Sequence, residues 1–201
     1  MEVILKNTHT REFAVVAMLS AVAFLLAFFE LPMPFSPAFA RLDFSDLPAL
    51  LAAFAFGPVW GIVTELVKNL LQLLTTSTAG IGELANFLMG SAFVTTAGII
   101  YQFHKSKIVA AWSCVAGSIA MAVAAGIINY FLLLPVYETF MPLEQIIVTF
   151  AEVLPFIEIK WDVILWSVLP SNLCKGVVLS VLALLIYKPL SPILKGNAVS
   201  R

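Results

Sequence analysis

Lys175 stands near the middle of the hydrophobic run from Trp161 to Tyr187, and no acidic residue follows Val163. A lysine at the centre of a membrane costs roughly +2.5 to +3.5 kcal/mol, so such residues face a bundle interior or a cavity and mark functional sites. Asn172 lies three residues earlier, on the same face of a helix. A third donor, Asn129, sits between Ile128 and Tyr130 in another apolar run. A buried amide needs partners, which come from a neighbouring helix or from a ligand. Two amides and an ammonium suit the edge of a neutral molecule rich in carbonyls and ring nitrogens; interhelical bonding is the structural alternative.

Other polar residues invite the same question. Glu65 and Lys68 are spaced i, i+3 and can neutralise one another inside a helix, as a structural pair or along an ion pathway. Glu83 and Asn86 follow a Gly-flexible turn, Gly80-Ile81-Gly82, where they either bind a polar solute or cap the next helix. Gly80-x-Gly82-x-x-Ala85 matches a loose dinucleotide fingerprint, but a membrane helix and not a strand precedes it, so the match is accidental. The chain has no phosphate-binding G-x-x-x-x-G-K-[ST] loop, so it does not hydrolyse ATP by that route. His9 and His104 are isolated and offer neither a metal site nor a base for a nucleophile. An intramembrane enzyme would have to rely on Glu65, Lys68 or Glu83 as acid or base, with no nucleophile and base pair in view.

The elements that carry these residues follow from composition. Of 201 residues 61% are hydrophobic and 11% charged, with a mean hydropathy of +1.01, which defines an integral membrane protein. Runs long enough to cross about 30 Å of hydrocarbon fall at 12–30, 57–76, 84–103, 109–134 and 163–187. A shorter run at 47–56 has Pro48 in its first turn and stops at Gly57-Pro58. The expected fold is all-α: six transmembrane helices with a short second helix, in one domain covering 1–201. Lys6, Arg11, Lys105, Lys107, Lys188, Lys195 and Arg201 share one side only if both termini are cytoplasmic. Cys114 and Cys174 read as small buried residues, not as a disulfide. Ala38-Phe39-Ala40 imitates a signal-peptide cleavage site but lies too far from the apolar stretch, which is therefore kept as helix 1.

Between helices 1 and 2 the segment from Leu31 to Asp46 holds Pro32, Pro34 and Pro37 and ends in Arg41-Leu42-Asp43-Phe44-Ser45-Asp46-Leu47-Pro48. Repeated prolines favour extended or turn backbone, with Ser45 or Asp46 capping helix 2, and the segment reads as a lid or as an ordered connector. Helix 1 carries Ala17-x-x-x-Ala21 and Ala23-x-x-x-Ala27, spacings that allow close helix approach within the protein or toward a partner.

The lid sequence, the Gly57-Pro58 start of helix 3, the Gly80 to Asn86 turn and the Asn172-x-x-Lys175 pair together resemble one family. These are the riboflavin-specific substrate-binding (S) components of energy-coupling factor (ECF) transporters, the RibU family. The resemblance covers nearly the whole chain. It implies a high-affinity riboflavin pocket near the outer face of a bacterial cell membrane, with riboflavin as transported ligand and no cofactor. It also implies that Asn129, Asn172 and Lys175 meet the polar groups of the flavin and that the segment with Leu42, Asp43 and Phe44 covers them. Ala17 and Ala21 would contact the transmembrane coupling subunit EcfT, which works with two ECF ATPase subunits. An S component for another vitamin, such as thiamine or biotin, would share fold and partners. Lys175 is expected to donate to a ligand carbonyl without a carboxylate partner.

Overall fold

The computed structural model describes residues 2–37, 41–76 and 78–195. Helix α1 spans Glu2–Leu26, and a short antiparallel pair follows, β1 Glu30–Pro32 with β2 Arg41–Asp43, in the register Leu31 to Leu42. The proline-rich segment thus closes on itself as a hairpin; the Ala38-Phe39-Ala40 stretch lies outside the described residues.

Helix α2 covers Asp46–Phe56 and α3 covers Pro58–Gln72. The break between them is steric: Gly57 adopts φ +114°, a conformation that side chains disfavour, and Pro58 occupies the first turn of α3. Ser45 is the N-cap of α2, as expected, but its side chain does not bond the helix and turns back to the Asp43 carboxylate instead. Gly80, at φ +88°, lets the chain turn into α4, Ile81–Phe103.

Helix α5, Lys107–Ile128, is capped by Ser106, whose hydroxyl accepts from the Val109 amide at 3.2 Å. It continues through a π-helical stretch, Asn129–Leu133, into α6, Leu134–Tyr137. Helix α7, Leu143–Ala151, lies in what the sequence left as a connector. The last rod begins with α8, Lys160–Asp162, passes through a second π-helical stretch, Val163–Val168, and becomes α9, Leu169–Lys195.

Among the described residues three segments, Ile81–Phe103, Lys107–Tyr137 and Lys160–Tyr187, are long and apolar enough to cross a membrane, and Asp46–Phe56 is a shorter apolar helix. Ile119, Val123 and Ile127 form an exposed stripe on α5, as do Leu173, Val177, Val181 and Leu185 on α9, which suits contact with lipid tails. α4 packs between α3 and α5, α5 packs on α9, and the short α2 touches α1, α3, α4 and α9.

α2 is therefore the buried centre, and its residues from Asp46 to Phe54 are all buried. Its far end is closed by an aromatic cluster in which Phe54 lies 4.6 Å from Tyr101 and 5.5 Å from Tyr187, and the Tyr187 hydroxyl donates to the Phe54 carbonyl. Small residues set the helix spacing: a Cβ on Gly176 would come within 2.7 Å of Ser118. Cys114 is buried and Cys174 half-buried, both as free thiols.

Candidate functional site

At the hairpin end of the bundle lies a cavity of about 270 Å³, close to the lower limit of small-molecule pockets. Its walls come from the hairpin segment and from α4 to α7 and the last rod. The hairpin segment gives Met33, Ser36, Arg41 and Asp43; α4 gives Gly82, Asn86 and Met89. The rod of α5 and α6 gives Asn129, Leu133, Leu134 and Tyr137, α7 gives Phe150, and the last rod gives Val163, Val168, Asn172 and Lys175. Both π-helical stretches border it. A π-turn inserts a residue into the helical register and is often found at functional sites; here one begins at Asn129 itself.

Each asparagine is aimed by its own helix. Asn129 Nδ2 donates to the Ala125 carbonyl at 2.8 Å, and Asn172 Nδ2 donates to the Val168 carbonyl at 2.9 Å. One N–H is thereby used, which leaves the second N–H and the carbonyl of each amide for another partner. Apolar walls with a few convergent polar groups can hold a flat, largely apolar molecule by one hydrogen-bonding edge.

The expectation for Lys175 needs correction. Its ammonium does have carboxylate partners, Asp46 Oδ2 at 2.9 Å and Asp43 Oδ2 at 3.2 Å. Both come from the hairpin and the start of α2, far away in sequence, which is why a search along the last helix finds no acid. Asp46 turns its other oxygen to Lys68, 2.5 Å away, and Lys68 also meets Glu65 at 2.6 Å. The expected Glu65 and Lys68 pair is thus the inner end of a row of five alternating acidic and basic groups: Asp43, Lys175, Asp46, Lys68, Glu65. Asp46, Lys68 and Glu65 are completely buried. Asp43 is held in place by the Ser45 amide, which donates to it at 2.8 Å.

The hairpin segment is tied across the cavity to the last rod. Ser36 Oγ lies 2.9 Å from both Ser167 Oγ and Ser171 Oγ, and Ser171 Oγ donates to the Pro34 carbonyl at 2.5 Å. Because Ser171 spends its single proton on Pro34, Ser36 must donate to Ser171 and Ser167 to Ser36. The tie holds Phe35 at φ +62°, a strained value for a side chain of that size. Ser167, Ser171 and Lys175 are spaced by four, and together they carry these polar contacts from the last rod to the hairpin segment. That spacing was readable in the sequence and was missed, as were Ser36, Arg41, Tyr137 and Phe150.

Other expected residues divide. Asn86 borders the cavity, but Glu83 does not: it accepts from Thr78 Oγ1 at 2.9 Å in the first turn of α4 and borders two other hollows. On β2 the alternation of faces sends Arg41 and Asp43 to the cavity and Leu42 into the core, while Phe44 packs against the main hydrophobic cluster. Ala17 and Ala21 are exposed along α1, whereas Ala23 and Ala27 are buried in the bundle.

A helix bundle with a polar-edged cavity at one end and, among the described residues, no assembled nucleophile and base has the form of a membrane protein that binds a small solute. A family model described as the ECF transporter substrate-specific component matches residues 11–187, and the chain belongs to that family. It is a substrate-binding subunit of a transporter and not an enzyme. It is 38% identical to the riboflavin transporter RibU of Staphylococcus aureus (strain TCH60) over 95% of this chain and 96% of that one. Identity to the riboflavin transporter FmnP of Bacillus subtilis (strain 168) is 35%, over 90% and 93%. A solved structure described as the S component of a bacterial ECF transporter superposes with a TM-score of 0.73 at 38% identity, over 93% of this chain and 99% of that one.

Proposed function

We propose that the chain is the riboflavin-binding subunit of an ECF importer, and that the cavity beneath the hairpin holds the vitamin. The observation that carries this reading is the convergence of Asn129, Asn172 and Lys175 on one apolar-walled cavity. The pyrimidine edge of an isoalloxazine alternates carbonyl, N–H and ring nitrogen. Two amides with a free carbonyl and a free N–H each, beside an ammonium with one N–H to spare, complement that alternation. Met33, Met89, Leu133, Val163 and Val168 supply the apolar contact for the ring system. Relatives named as riboflavin transporters over nearly the full length support the same ligand.

The chain would sit in a bacterial cell membrane with six spans and both termini cytoplasmic, as a single domain over 1–201. The hairpin end, which carries Glu30, Asp43, Asp46 and Glu138, faces out; the end with Lys105 and Lys107 faces in. Having no nucleotide loop of its own, the chain delivers the vitamin through EcfT and two ATPase subunits, with Ala17 and Ala21 on the face that meets EcfT. The loaded subunit then topples so that its cavity turns toward the cytoplasm.

The test is purification in detergent from cells grown with the vitamin. The protein should carry a yellow chromophore with flavin absorbance. A colourless protein that binds thiamine or biotin in its place would overturn the assignment of ligand.

A further inference from the structure

We propose that Asp46 is a positioning residue for the ligand, and that through it the Glu65 and Lys68 pair, which borders no part of the cavity, controls how Lys175 is presented. The inference rests on the riboflavin reading above and extends it to residues outside the cavity.

The argument begins with proton counting. An ammonium has three N–H groups. Lys175 donates to Asp43 Oδ2 at 3.2 Å and stands 2.9 Å from Asp46 Oδ2 as an ion pair, so at least one N–H remains for a ligand carbonyl. That remaining N–H points in one direction only while both carboxylates stay where they are. Asp43 belongs to the hairpin and is partly exposed, whereas Asp46 begins α2 and is fully buried. Asp46 is therefore the fixed reference for the ammonium.

Asp46 is itself shared. Its Oδ1 faces Lys68 at 2.5 Å and its Oδ2 faces Lys175 at 2.9 Å, so one carboxylate bridges two lysines on different helices. Lys68 is shared in turn, with Glu65 Oε2 at 2.6 Å. Asn69 reinforces that end, because its Nδ2 donates to the Glu65 carbonyl at 2.8 Å and approaches Oε2 at 3.4 Å. In a low-dielectric interior each of these attractions is strong, and a change in one redistributes the others.

The two ends pull in opposite directions, which makes the proposal specific. Weakening the 2.6 Å contact of Glu65 with Lys68 leaves Lys68 to Asp46 alone and draws that carboxylate toward α3, away from Lys175. Removing Glu65 and Lys68 together takes out one acidic and one basic group and gives Asp46 wholly to Lys175. A remote substitution should therefore weaken binding, and a second remote substitution beside it should restore binding.

The experiment is a set of riboflavin fluorescence titrations on the detergent-purified full chain, each variant checked for a monodisperse, cooperatively melting protein. Glu65→Gln should weaken riboflavin binding about 5-fold, and Glu65→Gln with Lys68→Met should return it to within about 2-fold of the natural chain. Asp46→Asn should cost about 10-fold in the natural background and almost nothing beside Lys175→Gln, because a positioning residue has no effect once the group it positions is gone. Equal losses from Asp46→Asn in both backgrounds would make Asp46 merely structural and overturn the proposal. Where Asp46→Asn does not fold, the Glu65 arm decides: natural affinity in Glu65→Gln, or no recovery in the double variant, overturns it. If the natural chain ignores riboflavin in the same titration, the ligand assignment itself fails and this inference with it.

Discussion

At the residue scale the site is organised around a lysine that shares its charge. Lys175 is almost fully buried and is compensated by Asp43 and Asp46, so it contributes a directed N–H to the cavity and little net charge. This suits a neutral flavin ring better than an anion. The substitution Lys175→Ala then has two consequences. Riboflavin affinity should fall by at least about 100-fold, the upper range for losing a charge-assisted hydrogen bond. The protein should also lose about 3 kcal/mol of stability, because Asp46 is left buried with only Lys68 beside it. Titration and thermal unfolding without ligand separate the two effects. Asn129→Ala should cost about tenfold in affinity, as expected for one neutral hydrogen bond, without a comparable drop in melting temperature, since its one internal bond is to its own helix. That Lys175, Asn172 and Asn129 turn to a shared interior space was legible in the sequence because an expensive polar residue in an apolar helix announces itself. Its counter-ions were not legible, because Lys175 and Asp43 are 132 positions apart and only the fold brings them together.

At the element scale the hairpin segment and the last rod act as a pair. The helical period made the rods readable, and Gly57-Pro58 fixed the break between α2 and α3. The hairpin pairing, α7 and the two π-helical stretches escaped: the strands are three residues long, and π-turns leave no periodic signature. The serine tie gives the hairpin segment a measurable role. Ser171→Ala removes the donor to the Pro34 carbonyl and the acceptor for Ser36, and should speed riboflavin dissociation about tenfold, the effect of one or two lost hydrogen bonds. Stopped-flow displacement of bound riboflavin measures that rate, and an unchanged rate would show that the tie does not hold the segment over the cavity. Gly90 tests the packing beneath the charge row. A Cβ there would lie 2.6 Å from Glu65 Oε2, so Gly90→Val should displace Glu65 and lower the melting temperature by several degrees, the effect of about 1–3 kcal/mol of overpacking.

At the scale of the whole molecule the charges and apolar faces separate three tasks. The polar groups of the cavity gather at the hairpin end, exposed apolar stripes run along α5 and α9, and Ala17 and Ala21 are exposed on α1. Composition and span length made the membrane character plain from the sequence, and the alanine spacing pointed to close contact. What spacing could not separate was which alanine pair faces outward: Ala23 and Ala27 are consumed by internal packing. Ala17→Trp should therefore leave riboflavin binding within about twofold, as for a surface change remote from the cavity, while abolishing uptake and co-purification with EcfT. Retained co-purification would place the coupling contact elsewhere. The account as a whole stands on one claim, that the cavity beneath the hairpin takes a flavin. A riboflavin fluorescence titration of the purified chain tests it most directly: saturable quenching at about one vitamin per chain is expected for one such pocket, and no quenching at any riboflavin concentration would contradict it.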